Sequence, residues 1–313
     1  MFKDTRDLED NNLKLGHFKT GKGIRVGLAK EKEVLDLWEM AAQEGTENIF
    51  PTMEGLLSKD GPSFGMTKEL VSKASPIAAQ EPVQVLAPLL QPSKIICLGK
   101  NYFGHVKETK ASVPANPILF PKFSTSIIAN EEAIILPEFS QAVDYEIELA
   151  VIIGKKARKI PPGDVFSYIA GYTIANDITA RDIQRGDGQW TRGKSLDTFL
   201  PLGPFLVTTD EITDPQNLKM RLQLNSEVMQ EGSTADMIFP IPEIISFISE
   251  GITLLPGDII LTGTPPGVGF AREPPVFLKP GDRLELEIEG LGRLSNLVVQ
   301  QKSKERVRGP SRY

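Results

Sequence analysis

Residues 143–156, VDYEIELAVIIGKK, constrain the fold more than any other stretch of this 313-residue chain. Strand side chains alternate with period two, so Asp144, Glu146 and Glu148 fall on one face and Tyr145, Ile147 and Leu149 on the other. Beyond Leu149 both faces turn apolar, the pattern of a strand covered on both sides. The segment therefore predicts a strand that runs from a polar mouth into a doubly covered sheet, with two or three carboxylates at the mouth. Like charges so placed repel by roughly 1 to 4 kcal/mol per pair at 4 Å, depending on the local dielectric. Something in the fold has to offset that.

The same grain continues along the chain. KIICLG, AIIL, YIAGYTIAN, FLVTT, KMRLQLN, DIILTG and RLELEIEG all read as strands from Lys94 onward. Two of them follow the same turn, Pro256-Gly257-Asp258 and Pro280-Gly281-Asp282, in which proline fixes one dihedral and glycine accepts the other. One amphipathic helix is predicted at PIPEIISFISEGI, where Ile244, Ile245 and Ile248 recur at helical spacing and Gly251 can end it. The first 85 or so residues mix a short strand, IRVGLA, with helical-looking pieces such as EKEVLDLWEMAAQ, and Pro82, Pro88 and Pro92 read as a linker. A chain of this length tends to split. The expectation is a β-rich α+β protein, with a small α+β amino-terminal domain over 1–88 and the main domain over 89–313.

Composition narrows the function classes. A net charge of −6 carries no nucleic-acid footprint, and a small-molecule partner is expected. No run approaches the roughly 20 apolar residues of a membrane span, and MFKDTRDLEDNN is too charged for a signal peptide, so a cytoplasmic protein is expected. Cys97 is the only cysteine, which removes an intramolecular disulfide or a multi-cysteine zinc site. Within KIICLG it reads as a small buried hydrophobe. The basic tail KSKERVRGPSRY reads as a solvated end.

One pattern is misleading. Gly188 to Ser195, GQWTRGKS, satisfies the P-loop rule G-x-x-x-x-G-K-[ST] letter for letter. A phosphate loop comes after a buried strand and opens a helix, whereas the preceding DIQRGDGQW is polar, and Pro201 and Pro204 interrupt the residues on the other side. The reading is refused, and Lys194 is left as a cation in need of another role.

Three clusters carry chemistry. GYTIANDITARD predicts a strand ending at Asn176-Asp177, with Arg181 and Gln184 just beyond. Alone, Asp177 and Arg181 fit an ordinary i, i+4 helix pair, and Glu146 with Glu148 a solvent-facing strand. Together Glu146, Glu148 and Asp177 make an all-oxygen set suited to Mg²⁺, Mn²⁺ or Ca²⁺, and such a cation would offset the repulsion. In GKNYFGHVKE, His105 precedes Glu108 by one helical turn, so the carboxylate can orient the imidazole as a base; a surface pair is the plain alternative. Gly99 and Gly104 suggest a lid there, and Tyr102 is either a contact or packing. In TGTPPGVG, the glycines and prolines indicate a tight loop able to present backbone amides and the Thr264 hydroxyl to an anionic oxygen, or simply a structural turn.

In order, the blocks GKNYFGHVKE, FPKFSTSI, VDYEIELAVIIGK, GYTIANDITARDIQ, GKSLDTFLPLGP and PGDIILTGTPPGVG resemble the fumarylacetoacetate hydrolase superfamily over roughly residues 92–300. The resemblance implies a mixed β-roll catalytic fold and a homodimer. It implies a divalent ion, Mg²⁺ or Mn²⁺ with Ca²⁺ as a further choice, at Glu146, Glu148 and Asp177. It also implies that His105 and Glu108 activate water, that Lys194 steadies an oxyanion, and that Arg181, Gln184, Thr264 and Tyr102 contact substrate. The expected function is metal-dependent cleavage of a C–C bond in a small anionic 2-oxo acid or 1,3-dicarbonyl such as an acylpyruvate. Oxaloacetate decarboxylation or keto–enol tautomerisation is the alternative, and a non-catalytic metal-binding scaffold is the different class.

Overall fold

A computed structural model describes residues 14–21, 23–30, 33–37, 53–57 and 84–301. Nine strands lie side by side in one sheet, in the order Glu33–Asp36, Gly23–Lys30, Lys14–Thr20, Leu200–Thr208, Ile169–Asn176, Ile147–Ile153, Ile259–Leu261, Ile95–Gly99 and Ile118–Lys122. Two short strands join it off this path: Gln84–Leu86 beside Lys14–Thr20, and Ile127–Ile128 beside Leu200–Thr208. A second sheet holds Glu227–Ser233, Lys219–Leu224, Arg283–Ile288, Gly292–Gln300 and Ile134–Leu136. The architecture is the expected β-rich one.

Strand Ile147–Ile153 sits at the middle, with all seven residues buried. Ile147, Leu149, Val151 and Ile153 belong to a core shared with the second sheet and with the helix Ile241–Gly251, whose Ile241, Ile244, Ile245 and Ile248 face inward. Ala150 and Ile152, on the opposite face, pack with Leu15, Val26, Leu28 and Leu35 of the amino-terminal strands. Both faces are thus covered, as the apolar run after Leu149 requires. Cys97 is a buried member of this second cluster, and burial pushes its thiol up, away from the reactive thiolate.

The strand differs from expectation at its mouth. A short strand, Val143–Asp144, is followed by a break at Tyr145 and Glu146, and only then does the long strand begin. Nor is the mouth solvent-facing, because Asp144, Glu146 and Glu148 are all buried. In the amino-terminal region, Glu33–Asp36 is a strand, although EKEVLDLWEMAAQ reads as helical; apart from Leu37 the remainder of that segment lies outside the described residues, as does the tail after Gln301. β-branched Val34 and a pairing slot beside Gly23–Lys30 outweigh the local helical spacing. Pairing between Lys14–Thr20 and Leu200–Thr208 carries the sheet across the expected domain boundary.

The two repeated turns behave alike. Gly257 and Gly281 take φ of 84° and 94°, a region a side chain disfavours. Asp258 Oδ2 accepts from the Leu255 amide at 2.7 Å, and Asp282 Oδ2 from the Lys279 amide at 2.7 Å, closing each turn before its strand. Among the described residues no helix is long and apolar enough to cross a membrane.

Candidate active site

The carboxylates come together because three strand ends meet. Strand Ile169–Asn176 pairs antiparallel with Ile147–Ile153, setting Asn176 opposite Ile147 and Ala175 opposite Glu148. The Asp177 amide donates to the Glu146 carbonyl at 2.8 Å, and the Glu146 amide donates to Asn176 Oδ1 at 3.0 Å. The break at Tyr145-Glu146 is thereby held in place by the neighbouring strand. One carboxylate oxygen each from Glu146, Glu148 and Asp177 lies within 4.8 Å of the others, all three residues buried. Asp144 is not part of this set: it accepts from Arg181 Nε at 2.9 Å and from the amides of Gly269 and Phe270 at 2.8 and 3.1 Å.

Three cations surround the acids. Arg181 Nη2 donates to Glu146 Oε1 at 2.5 Å, so its partners are Glu146 and Asp144, and the Asp177–Arg181 helical pair does not form. The strand Thr179–Ala180 intervenes between those two residues, and the helix Arg181–Gly186 starts only after it. Lys194 Nζ donates to Glu146 Oε2 and, at 2.6 Å, to Asp177 Oδ2. Its helix, Thr191–Lys194, comes after helix Arg181–Gly186 and not after a strand, which bears out the refusal of a phosphate loop. Lys122 Nζ, wholly buried, donates to Asp177 Oδ1 at 2.7 Å, to the Ile178 carbonyl at 3.2 Å and to the Lys194 carbonyl.

Charge does not balance. With all four acids ionised, Asp144, Glu146, Glu148 and Asp177 would set four negative charges against three positive ones from Lys122, Arg181 and Lys194, and Glu148 is the acid with no salt-bridge partner. Burial alone would raise Glu146, but the Arg181 guanidinium and the Lys194 ammonium hold it well below the usual carboxylate range. Burial likewise works against the Lys194 charge, which Asp177 and Glu146 more than restore. For Glu148, burial and then the charges of Asp177 and Glu146 push the carboxyl well up; the Lys194 charge and the Gly263 amide, at 2.7 Å, only partly oppose them. Three buried oxygen donors, one of which needs a cation to ionise, fit a hard divalent cation, which would be held by Glu146, Glu148 and Asp177.

Lys122 is a site residue that spacing and charge pattern do not single out. Its one signal is a lysine inside the apolar run ILFPKF. Removing one partner of a buried ion pair strands the other, at a cost of about 3–5 kcal/mol. Lys122→Met is therefore expected to lower metal-free stability by about that amount, with Mg²⁺ recovering part of it by supplying charge at Asp177. Chemical denaturation with and without Mg²⁺ measures both; an unchanged metal-free midpoint would remove Lys122 from the network.

Opposite the acids, the helix Phe103–Glu108 carries the expected pair, with His105 Nδ1 2.8 Å from Glu108 Oε1. Glu108 Oε2 accepts from the Gly267 amide at 2.8 Å, so the TGTPPGVG loop orients the carboxylate that orients the imidazole. Ahead of this helix, Asn101 donates to the Phe239 and Thr262 carbonyls and accepts from the Phe239 amide, which fixes where it starts. The segment expected to be a mobile lid is thus a docked helix: a Cβ at Gly104 would meet Pro266 at 2.8 Å.

His105, Glu146, Glu148, Arg181, Gln184, Lys194 and Thr264 line one cavity of about 410 Å³. Gln184 accepts from Arg181 Nη1 at 3.2 Å. Thr264 lines the cavity with its hydroxyl already committed, donating to the Ile147 carbonyl and accepting from Gln230 Nε2, both at 2.8 Å. Tyr102 is not brought there. It is fully buried and points its hydroxyl at Met220 Sδ, 3.3 Å away, so it packs the core instead of touching a ligand. Phe120, Trp190 and Phe270, none of them singled out by spacing or charge, supply the aromatic part of the lining.

Fold and site together define a β-rich enzyme scaffold around a buried oxygen-donor centre fit for a divalent ion. Residues 94–299 match the family model described as "Fumarylacetoacetate (FAA) hydrolase C-terminal", and the chain belongs to the fumarylacetoacetate hydrolase superfamily. It is 47% identical over 249 residues to the rat (Rattus norvegicus) protein named oxaloacetate tautomerase Fahd2a, mitochondrial, covering 79% of this chain and 80% of the relative. The human protein named oxaloacetate tautomerase FAHD2A, mitochondrial, is 46% identical over 250 residues, with the same shares covered. Among solved structures, a fumarylacetoacetate hydrolase from Exiguobacterium antarcticum superposes with a TM-score of 0.78 at 35% identity, covering 92% of this chain and all of that one.

Proposed function

We propose that the protein is a divalent-metal-dependent enzyme acting on small 2-oxo acids, and that its reaction is the keto–enol interconversion of oxaloacetate. The observation that carries the reading is one cavity whose wall holds both His105, paired with Glu108 behind it, and Glu146 and Glu148 of the trio they form with Asp177, in a chain whose relatives bear the name oxaloacetate tautomerase. A bound divalent ion would supply Lewis-acid polarisation of the 2-oxo group. The residues supply the rest. A carboxylate only accepts, so His105 donates through Nδ1 to Glu108, an arrangement that in the neutral imidazole puts the lone pair on Nε2. That nitrogen can take a proton from the carbon next to the carbonyl and deliver it to the carbonyl oxygen, or carry it back the other way, which is the whole of a 1,3-proton shift. Lys194 has two N–H groups committed to Glu146 and Asp177 and a third for the oxygen on which negative charge develops.

C–C hydrolysis, the first expectation from sequence, is the second reading. The same histidine could deprotonate a water, but the names of the relatives favour the proton shift. The test is to follow the ultraviolet absorbance of enol-oxaloacetate with protein and Mg²⁺, against Mg²⁺ alone and against excess chelator, with proton NMR of oxaloacetate and acetylpyruvate in parallel. Metal-dependent acceleration of enol decay without extra pyruvate is expected. Acetate from acetylpyruvate without that acceleration would make the protein a hydrolase. Pyruvate above the metal-only background would make it a decarboxylase, and tight stoichiometric metal with no turnover a non-catalytic binder.

A further inference from the structure

The cavity wall holds four Lys or Arg side chains: Lys100, Arg181, Arg185 and Lys194. Arg181 and Lys194 are bound to carboxylates of the protein, whereas among the described residues Lys100 and Arg185 have no carboxylate within 4 Å. Arg185 is nevertheless placed. Its guanidinium carbon lies 5.0 Å from the centre of the Phe270 ring, and that of Arg181 lies 4.3 Å from the same centre. The Gly269 and Phe270 amides are tied to buried Asp144, which also holds Arg181, so the ring is a shelf anchored in the site's own network. Arg181 and Arg185 stand one turn apart on the helix Arg181–Gly186, about 6 Å along its axis. Like charges at that spacing, sharing one ring, repel. An anion against the outer one would offset this.

We propose that Arg185, laid on Phe270, grips the second carboxylate of the substrate and so selects dicarboxylic over monocarboxylic 2-oxo acids. The proposal rests on the oxaloacetate reading above and adds the residue that tells oxaloacetate from shorter acids. The 2-oxo carboxylate end belongs at the acidic trio, where Lys194 and His105 reach it; the far carboxylate of a four-carbon acid then extends toward the mouth of the cavity. A guanidinium held over an aromatic ring by its carbon can leave its N–H edge free, and it matches a carboxylate with two parallel donors, which an ammonium does not do. This is why Arg185 and not Lys100 is assigned the role.

The test compares Arg185→Met, Arg185→Lys and Lys100→Met with the wild type, all loaded with Mg²⁺. Arg185→Met is expected to raise KM for oxaloacetate about 10- to 100-fold with kcat little changed, the loss of a charge-assisted hydrogen bond. Arg185→Lys should recover part of it. Inhibition by oxalate, which has no far carboxylate, should be unaltered in every variant. An unchanged KM in Arg185→Met overturns the proposal, as does an equal weakening of oxalate, which would mean a general field effect, or a loss confined to Lys100→Met. If the wild type turns over no oxaloacetate, the tautomerase reading fails separately. Calorimetric binding of oxaloacetate to wild type and Arg185→Met then still decides the grip: tighter binding by wild type supports it, and equal binding overturns it.

Discussion

Replacing His105 with Asn is expected to lower kcat for enol-oxaloacetate by about 10²–10⁴, the usual contribution of a positioned general base, while Mg²⁺ affinity stays at the wild-type value. The two halves of that result stem from one arrangement. His105 lines the cavity but supplies none of the three carboxylate oxygens that lie within 4.8 Å of one another, so removing its ring takes away proton transfer and leaves the donor set intact. Asn keeps a donor near the Glu108 side chain, so the carboxylate, still bound to the Gly267 amide, is not left unpartnered. Stopped-flow absorbance for the rate and calorimetry for Mg²⁺ read the two quantities separately. A fall in Mg²⁺ affinity matching the fall in rate would mean that His105 shapes the metal centre and is not the base.

Glu148→Gln should separate stability from function in the opposite sense. Glu148 is the acid without a salt-bridge partner, pushed up by burial and by the charges of Asp177 and Glu146. As an amide it can still accept from Gly263, and the three acids that remain, Asp144, Glu146 and Asp177, match the three cations. The metal-free variant should therefore be no less stable than the wild type, because a carboxyl that burial and its neighbours disfavour as a charge is replaced by a neutral amide of the same shape. It should also lose the response to metal. Wild-type protein at a Mg²⁺ concentration of 100 times Kd gains about 2.7 kcal/mol from binding, and the variant should gain none of it. Thermal unfolding with and without Mg²⁺ shows both effects; a variant that Mg²⁺ still stabilises would put the cation somewhere other than the Glu146, Glu148 and Asp177 trio.

The strands are legible because burial on both faces writes itself into composition. Ile147–Ile153 and Ile169–Asn176 read as strands from largely hydrophobic runs, and every position in both is buried, Glu148, Thr173 and Asn176 included. The amino-terminal Glu33–Asp36 misleads for the complementary reason: four residues carry little periodicity, and only the neighbouring strand decides their conformation. Within the site, the acids and the His105–Glu108 pair are visible as titratable residues at telling spacings. Lys122 is not, since a lone lysine in ILFPKF has no spacing to read, and its importance comes from Asp177, 55 positions away. Tyr102 errs the other way. It sits in the right block, GKNYFGHVKE, but its side chain turns into the core while His105, three residues on, turns to the cavity.

By itself, then, the sequence determined the strand-rich scaffold, the oxygen-donor chemistry of the site and the family, because those depend on residue type and local order. Tertiary structure alone decided that the polar mouth is buried, that Asp144 serves Arg181 and two loop amides and stays out of the donor trio, and that Lys122 and Lys194 share Asp177. Those outcomes depend on which strand ends meet and on how many charges are enclosed together. A charge imbalance exists only once distant residues have been brought out of water into one place.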